Sequence, residues 1–268
     1  MEILSDIFGY LSKTPNNSEN FDLTILIPTF NEKENIRRMI MAIADILVRA
    51  GVRGHILIVD DNSCDGTIEE VKTLLNSMRN MSLLVRCENH GLSPSLYEGF
   101  FASPTQFVQC IDCDFSHPPE LIPVFLQRLR DDGNDIVIGS RYITGGGSVN
   151  WPLSRRILSF GAAMMGRLLI PVASDSGSGF FAINTRVLTD ADLTPRGFRM
   201  CFEILGKGNW KKVSEIPFVF RNRDRGKSKL KPLIILQYIV QTLGILRDNL
   251  ILKKSDKIKY SWHLHFSQ

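Results

Sequence analysis

"FVQCIDCDFSHPPE", residues 107–120, joins an apolar run to two acids one residue apart, then a hydroxyl, a histidine and two prolines. The run "FVQCID" (107–112) reads as a buried strand. The prolines and the apolar residues after them read as the start of a helix over 118–131. A strand passing at once into a helix is half of a β-α-β unit. Residues i and i+2 of an extended chain project to the same side, so Asp112 and Asp114 point together just past the strand end. Two close carboxylates repel unless a cation lies between them. A hard divalent ion, Mg²⁺ or Mn²⁺, suits such oxygen ligands. A D-x-D is also an ordinary polar loop, so the rest of the chain decides.

The same alternation runs outward from this stretch. "LTILIP" (23–28) precedes a helix through about residue 49, and "HILIVD" (55–60) precedes one near 67–79. "SLLVRC" (82–87) is followed by a helical 95–102, and "DIVIGS" (135–140) ends the series. Continuous apolar strands alternating with helices predict an α/β fold with a mostly parallel sheet covered on both faces. Ligands of such sheets sit at the carboxyl ends of the strands. Those ends carry "PTFNE" (28–32), "DDNSCDGT" (60–67), the D-x-D, and "SRY" (140–142). Ordinary loop chemistry accounts for part of this: Asp65-Gly66 is a good turn, and Thr67 with Glu70 reads as a capping box. Acids at two strand ends and an arginine at a third are the layout of a site for a phosphorylated ligand and its metal.

Composition excludes some classes. A chain of 268 residues with 44% hydrophobic and 22% charged residues is globular. A net charge of +4 with no nucleic-acid module pattern gives no reason to expect a nucleic-acid partner. The five cysteines are odd in number and scattered, as in a reducing compartment. Cys110 and Cys113 form C-x-x-C, but in a strand they face opposite sides and suit core packing. The first twenty residues lack the basic start and long apolar core of a signal peptide. Ile3, Leu4, Ile7, Phe8 and Leu11 recur at helical spacing, which fits a short docking or membrane-surface helix and equally a frayed or loosely packed tail.

The second half differs. "WPLSRRILSFGAAMMGRLLIPV" (151–172) has apolar residues on a helical period with Arg155, Arg156 and Arg167 among them. "KPLIILQYIVQTLGIL" (231–246) is almost wholly apolar, flanked by lysines, and shorter than the roughly 20 residues that span a bilayer. It fits a helix lying in a membrane interface, and equally a buried helix of the core or of a subunit contact.

In order and spacing, "ILIPTFNEKENI", "ILIVDDNSCDGT", "IDCDFSHPPELIP", "DIVIGSRY" and "RGKSKL" resemble the family 2 inverting glycosyltransferases of the GT-A fold. Among them the chain is most similar to the dolichyl-phosphate mannose synthases and related polyprenyl-phosphate sugar transferases. The resemblance runs from about residue 22 to 232. It implies a catalytic domain over 22–232 that includes an interfacial helix at about 154–171, an N-terminal extension over 1–21, and an apolar helix and tail over 233–268. Pro28, Thr29, Phe30 and Glu32 match the loop that cradles the nucleotide, and Asp60 and Asp61 the acidic pair near base and ribose. Asp112 and Asp114 match the metal-binding pair, and Ser116 the residue that completes the ligand set. Arg141 matches an arginine beside the donor and acceptor phosphates, and Arg155 and Ser159 a pair that holds the acceptor phosphate. Arg223 and Lys229 match basic residues that clamp the donor diphosphate. Asp175 and Glu203 match positions where folding and sugar contact are both open.

The chain departs from the family with "GLSPS" (91–95) for G-L-G-x-A and Phe181 for the arginine of S-G-F-R, which leaves the sugar open. No Q-x-x-R-W follows, so a processive polysaccharide synthase is disfavoured. The implied reaction moves a sugar, mannose from GDP-mannose first of all, to dolichyl or another polyprenyl phosphate, with inversion and with Mg²⁺ or Mn²⁺. The alternatives are another donor sugar, a non-lipid acceptor, or a non-catalytic nucleotide-sugar-binding homologue. The implied partners are the nucleotide sugar, the polyprenyl phosphate, a membrane surface and a small membrane-anchoring subunit. The implied place is the cytosolic face of a membrane, the endoplasmic reticulum in a eukaryote. A lipid phosphate is already an anion and needs no general base, so His117 reads as a helix-start residue before Pro118.

Overall fold

The computed structural model describes residues 10–12, 20–151, 153–195 and 199–221. The strands are β1 (Tyr10–Ser12), β2 (Leu23–Thr29), β3 (Gly54–Asp60), β4 (Met81–Val85), β5 (Phe107–Cys110), β6 (Ile136–Ser140), β7 (Gly147–Ser148), β8 (Phe181–Asn184), β9 (Val213–Pro217) and β10 (Val219–Phe220). The helices are α1 (Lys33–Arg49), α2 (Thr67–Leu75), α3 (Leu92–Ala102), α4 (Ile122–Arg130), α5 (Leu153–Leu169) and α6 (Met200–Lys207). Eight strands make one sheet in the order β1-β4-β3-β2-β5-β8-β6-β9. β2 to β6 and β9 run in one direction, while β1 and β8 oppose them. β2 lies between β3 and β5, so the strand order reverses there. That crevice at the carboxyl ends is where a ligand of an open α/β sheet binds.

Both faces of the sheet are packed, which is why the strands read as unbroken apolar runs. Ile25 and Ile27 of β2 and Ile56 and Ile58 of β3 meet α1, α2 and α4 in one cluster. Leu26, Leu57 and Val59 point the other way, into a cluster with Leu96, Phe100 and Ile204 from α3 and α6. α1 forms because Ile36, Met39, Ile40, Ile43 and Leu47 recur on one stripe and are all buried. It stops where Gly51 takes the left-handed φ of +63°. Cys110 and Cys113 fall into the two different clusters, each buried and in no disulfide, so the C-x-x-C is core packing. Burial pushes the Cys110 thiol well above its ordinary pKa, which leaves it inert.

The five expected strands are present. The structure adds β1, β8, β9 and the short pair β7–β10, which are parallel through Val219↔Gly147 and Phe220↔Ser148. Leu11, expected on a helical stripe, is in β1, paired with Leu84 at the sheet edge. A segment there satisfies backbone groups that the edge of β4 otherwise presents to solvent. The expected capping box does not form. Gly66, at φ +98°, precedes α2, and the Thr67 hydroxyl accepts from the Glu32 N–H instead. Glu70 pairs with Arg37 of α1. Two loops meeting across the sheet claim the groups that local sequence would have used for a cap.

Candidate active site

The loops after β2 and β3 are tied into one wall. Thr29 and Asp60 are register partners at the ends of their strands, and the Thr29 hydroxyl donates to Asp60 Oδ2 at 2.8 Å. The Ser63 N–H and hydroxyl both donate to the same carboxylate at 2.7 Å. Asp60 is wholly buried, and its charge is met by these donors. Asn31, at φ +53°, gives its N–H to Ser63 Oγ at 2.8 Å and accepts from the Cys64 N–H at 3.1 Å. Burial pushes the Asp65 carboxyl up, but the Thr67 hydroxyl and the Lys33 and Thr67 N–H groups hold it below its ordinary value. Glu32 accepts from the Asn35 amide at 2.9 Å. Pro28 and Thr29 shape the strand end, and Phe30 projects from it with 46% of its surface exposed. An exposed aromatic side chain at the crevice of an open sheet is suited to stacking on a flat ring.

Asp61 is held by a group that sequence reasoning passed over. Arg86, 1% exposed, bonds Asp61, Ser95 Oγ at 3.0 Å, Glu98 at 2.8 Å and the Asn89 carbonyl at 2.8 Å. His90 Nδ1, at 3.0 Å, and the Gly91 N–H, at 2.7 Å, also meet the Asp61 carboxylate. One buried guanidinium thus binds the loops after β3 and β4 to α3. An arginine inside the apolar run 82–87 was the available signal, because a buried charge requires partners.

The D-x-D stands on a turn rather than on the strand itself. β5 ends at Cys110, and Phe115 takes φ +60° with Arg38 over its ring at 5.0 Å. Strand alternation therefore does not aim the two acids. The Asp112 side chain is 37% exposed and Asp114 is buried, with Asp114 Oδ1 accepting from the Ser116 N–H at 3.0 Å. His117 pins the turn: its Nδ1 accepts the Asp112 N–H at 3.1 Å, and its ring stacks on Phe180 with centroids 4.9 Å apart. Burial pushes the imidazole below its ordinary pKa, against the pull of Asp112 and Asp114. With Nδ1 taken by the Asp112 N–H and the ring stacked on Phe180, its placement is that of a fixed wedge. Gly179 faces it, where an added Cβ would lie 3.5 Å from the imidazole and 3.8 Å from Asp112 Oδ1.

The Ser116 hydroxyl is buried and has no hydrogen-bond partner among the described residues. A hydroxyl left open in the turn that carries two carboxylates fits a third oxygen ligand for a hard cation. Among the described residues no three His, Cys, Asp or Glu side chains form a metal cage. A magnesium-type site uses one or two carboxylates and takes its remaining ligands from substrate phosphate and water, so two acids and a hydroxyl suffice.

Arg141 follows β6 on the same edge. It grips Asp175 side-on, Nε to Oδ2 and Nη2 to Oδ1 both at 2.8 Å, and its own N–H adds a third bond at 3.0 Å. Asp175 is fixed in turn because Glu215 accepts the N–H groups of Ser174 and Asp175 at 2.8 and 3.0 Å. This gives Asp175 a structural task the sequence left open. Glu203 is likewise buried, and it accepts the Thr194 N–H. Burial disfavours the charge on Arg141, but Asp175 more than restores it, with Asp112 also within electrostatic reach. A side-on grip leaves the far edge of the guanidinium for another anion. Tyr142, beside it, shares a hydrogen bond of 2.7 Å with Ser159 on α5, which links Ser159 to the residue next to Arg141. Arg155 stands one turn earlier on α5, but its side chain lies outside the described residues, as do Arg223, Lys229 and the apolar stretch 231–246.

Among its described side chains, α5 leaves an apolar face exposed. Ala163 and Gly166 are buried, while Phe160, Met164, Met165 and Leu168 are exposed. Among the described residues no helix is long and apolar enough to cross a membrane.

The profile of Glycosyl transferase family 2 matches residues 24–191. A dolichol-phosphate mannosyltransferase of Pyrococcus furiosus is 39% identical over 220 residues, which is 81% of this chain and 61% of that protein. The one from Saccharomyces cerevisiae is 34% identical over 232 residues, 83% of this chain and 86% of that protein. Among solved structures, glucosyl-3-phosphoglycerate synthase from Mycobacterium tuberculosis superposes with a TM-score of 0.61 at 18% identity, over 85% of this chain and 81% of the other. Mannosyl-3-phosphoglycerate synthase from Rubrobacter xylanophilus gives 0.62 at 16% identity, over 92% and 80%. These two share the fold, a mostly parallel sheet of the GT-A kind. The matched motifs, the crevice they line and the extent of the sequence matches agree: the chain belongs to glycosyltransferase family 2.

Proposed function

We propose that this chain transfers mannose from GDP-mannose to dolichyl phosphate or a similar polyprenyl phosphate, with a divalent cation and with inversion at the anomeric carbon. The observation that carries this reading is the meeting of two charge-binding features at one strand edge. The D-x-D turn, with its open Ser116 hydroxyl, sits beside the Asp175-gripped Arg141. The curated relatives named above support mannose and dolichol phosphate. The cation is supported by a structural neighbour solved with Mn²⁺ and UDP-glucose.

Asp112, Asp114 and Ser116 would hold the cation, which neutralises charge growing on the departing diphosphate. Arg223 and Lys229 share that task. Pro28, Thr29, Phe30, Glu32 and Asp61 line the nucleotide side, with Asp60 behind them holding the wall. Arg141, Arg155 and Ser159 hold the acceptor phosphate in line with the anomeric carbon. The nucleophile is already an anion, so no base is needed, and the buried His117, its Nδ1 taken by the Asp112 N–H, has a positional task instead. The exposed apolar face of α5 supports a lipid acceptor met at a membrane surface, with the chain bound peripherally.

The test is transfer of radiolabelled mannose from GDP-mannose to dolichyl phosphate, read by extraction into organic solvent, with 3-phosphoglycerate as a water-soluble control acceptor. Asp114→Ala is expected to lower kcat by about 100-fold or more, in the range of lost electrostatic catalysis. Excess chelator is expected to abolish turnover. Label passing only to the soluble acceptor, or full rate with the metal verifiably removed, would overturn the reading.

A further inference from the structure

The aromatic rings around Arg141 and His117 belong to one cluster, and Phe220 is the ring that both share. The Arg141 Cζ lies 5.4 Å from the Tyr142 ring centroid, 5.7 Å from Trp151 and 5.9 Å from Phe220. The Phe220 ring is 5.9 Å from the His117 imidazole and 5.0 Å from the Trp151 indole. His117 in turn holds the Asp112 N–H. One phenyl ring thus stands between the arginine on the acceptor side and the wedge of the D-x-D turn.

The backbone keeps that ring in place. The Phe220 carbonyl accepts from the Val149 N–H at 2.9 Å, and the Phe218 carbonyl from the Gly147 N–H at 3.1 Å. The Phe218 N–H donates to the Ser140 carbonyl at 3.0 Å, next to Arg141. The Arg221 N–H reaches the Ser116 carbonyl at 3.4 Å, inside the D-x-D turn. The bonds of the short β7–β10 pair fix a side chain that packs against the site and also against the main core cluster.

We infer that Phe220 is a positioning residue for the transfer. Its ring holds the Arg141 guanidinium at the acceptor phosphate and ties it to the turn that carries Asp112 and Asp114. Asp175 fixes one edge of the guanidinium but not the tilt of its plane, and an aromatic face supplies that restraint. The ring also shields the arginine from water, which strengthens its attraction to a phosphate. The chemistry recognised is a phosphomonoester at the head of a polyprenyl chain, so the inference rests on the reading above.

The experiment compares Phe220→Leu, which keeps bulk but loses the aromatic face, with Phe220→Tyr, which keeps both. KM is measured for GDP-mannose and for dolichyl phosphate with Mn²⁺ present, and farnesyl phosphate binding is titrated without donor. In Phe220→Leu the KM for dolichyl phosphate should rise about three- to thirtyfold, the span of a partly desolvated cation–π contact. The KM for GDP-mannose should stay within about twofold, farnesyl phosphate binding should weaken in parallel, and Phe220→Tyr should restore both. A purely structural Phe220 would lower Tm in the leucine variant while leaving both KM values alone, and that result overturns the inference. So does an equal rise in both KM values. If wild-type protein transfers no mannose, the proposed function fails, and the farnesyl phosphate titration still decides the role of Phe220. Should Phe220→Leu not fold, Phe220→Met serves in its place with the same expected split.

Discussion

Arg141 shows how much one residue depends on its partner. A guanidinium with 15% of its side chain exposed is costly unless a carboxylate answers it, and Asp175, 1% exposed, does so through two parallel bonds. Asp175→Asn leaves the shape and removes the charge. It is expected to destabilise the fold by about 2–4 kcal/mol, near the cost of breaking a buried pair. It should also raise the KM for the acceptor more than the KM for the donor. Urea unfolding and paired kinetics check the two halves separately. Unchanged stability would show that Arg141 turns to another partner.

The same scale shows what a sequence carries about single residues. Asp112, Asp114, Ser116 and Arg141 could be picked out because strand ends concentrate chemistry and their spacing is tight. Arg86 and the task of Asp175 could not, because Asp175 lies 34 residues from the arginine it grips and Asp61 lies 25 from Arg86. Pairing over such distances is a property of the fold, and no local pattern announces it.

Among the elements, α5 carries the clearest departure from the rule that apolar faces turn inward. Among its described side chains the buried ones are small, Ala163 and Gly166, and the exposed ones include Leu168 at 76% and Phe160 at 55%. If that side meets a bilayer interface, each apolar side chain withdrawn from water contributes about 1.5–3 kcal/mol. Leu168→Glu with Met164→Glu should therefore lower sedimentation with liposomes by tenfold or more. Transfer to a short, water-dispersed acceptor such as farnesyl phosphate should persist. Equal liposome binding by this variant and wild type would remove α5 from the membrane surface. Helical spacing in 151–172 was enough to expect the helix, but not which side it would leave bare, since that depends on what the sheet offers to pack against.

For the whole molecule, one part of the loss of stability in acid follows from a histidine far from the strand ends that carry the site. His55 lies at the start of β3, buried, with Nε2 3.0 Å from Ser82 Oγ and its ring 5.3 Å from that of Phe21. Burial lowers its pKa from 6.5 to about 4. The folded state thus refuses a proton that the unfolded chain accepts. The stabilisation is complete above the unfolded value near 6.5 and is lost as pH falls toward about 4, where the loss amounts to roughly 3 kcal/mol. By pH 5 the loss is about 2 kcal/mol. Urea unfolding at pH 7.5 and pH 5, compared between wild type and His55→Phe, isolates it from the carboxylates that titrate in both. Equal pH dependence in the two proteins would refute the assignment.

The sequence by itself determined the α/β class, the five parallel strands and the edge on which chemistry gathers. Each follows from local periodicity and from turn residues adjacent in the chain. It also determined the family, because the spacing of its motifs is itself a local quantity. Tertiary structure alone decided the antiparallel β8 between β5 and β6, the turn that splits Asp112 from Asp114 in exposure, and the clamp of Asp175 on Arg141. The ring of Phe220 between two halves of the site belongs with these. They rest on contacts between segments distant in the chain, and only the closed sheet brings those segments within hydrogen-bonding or van der Waals reach.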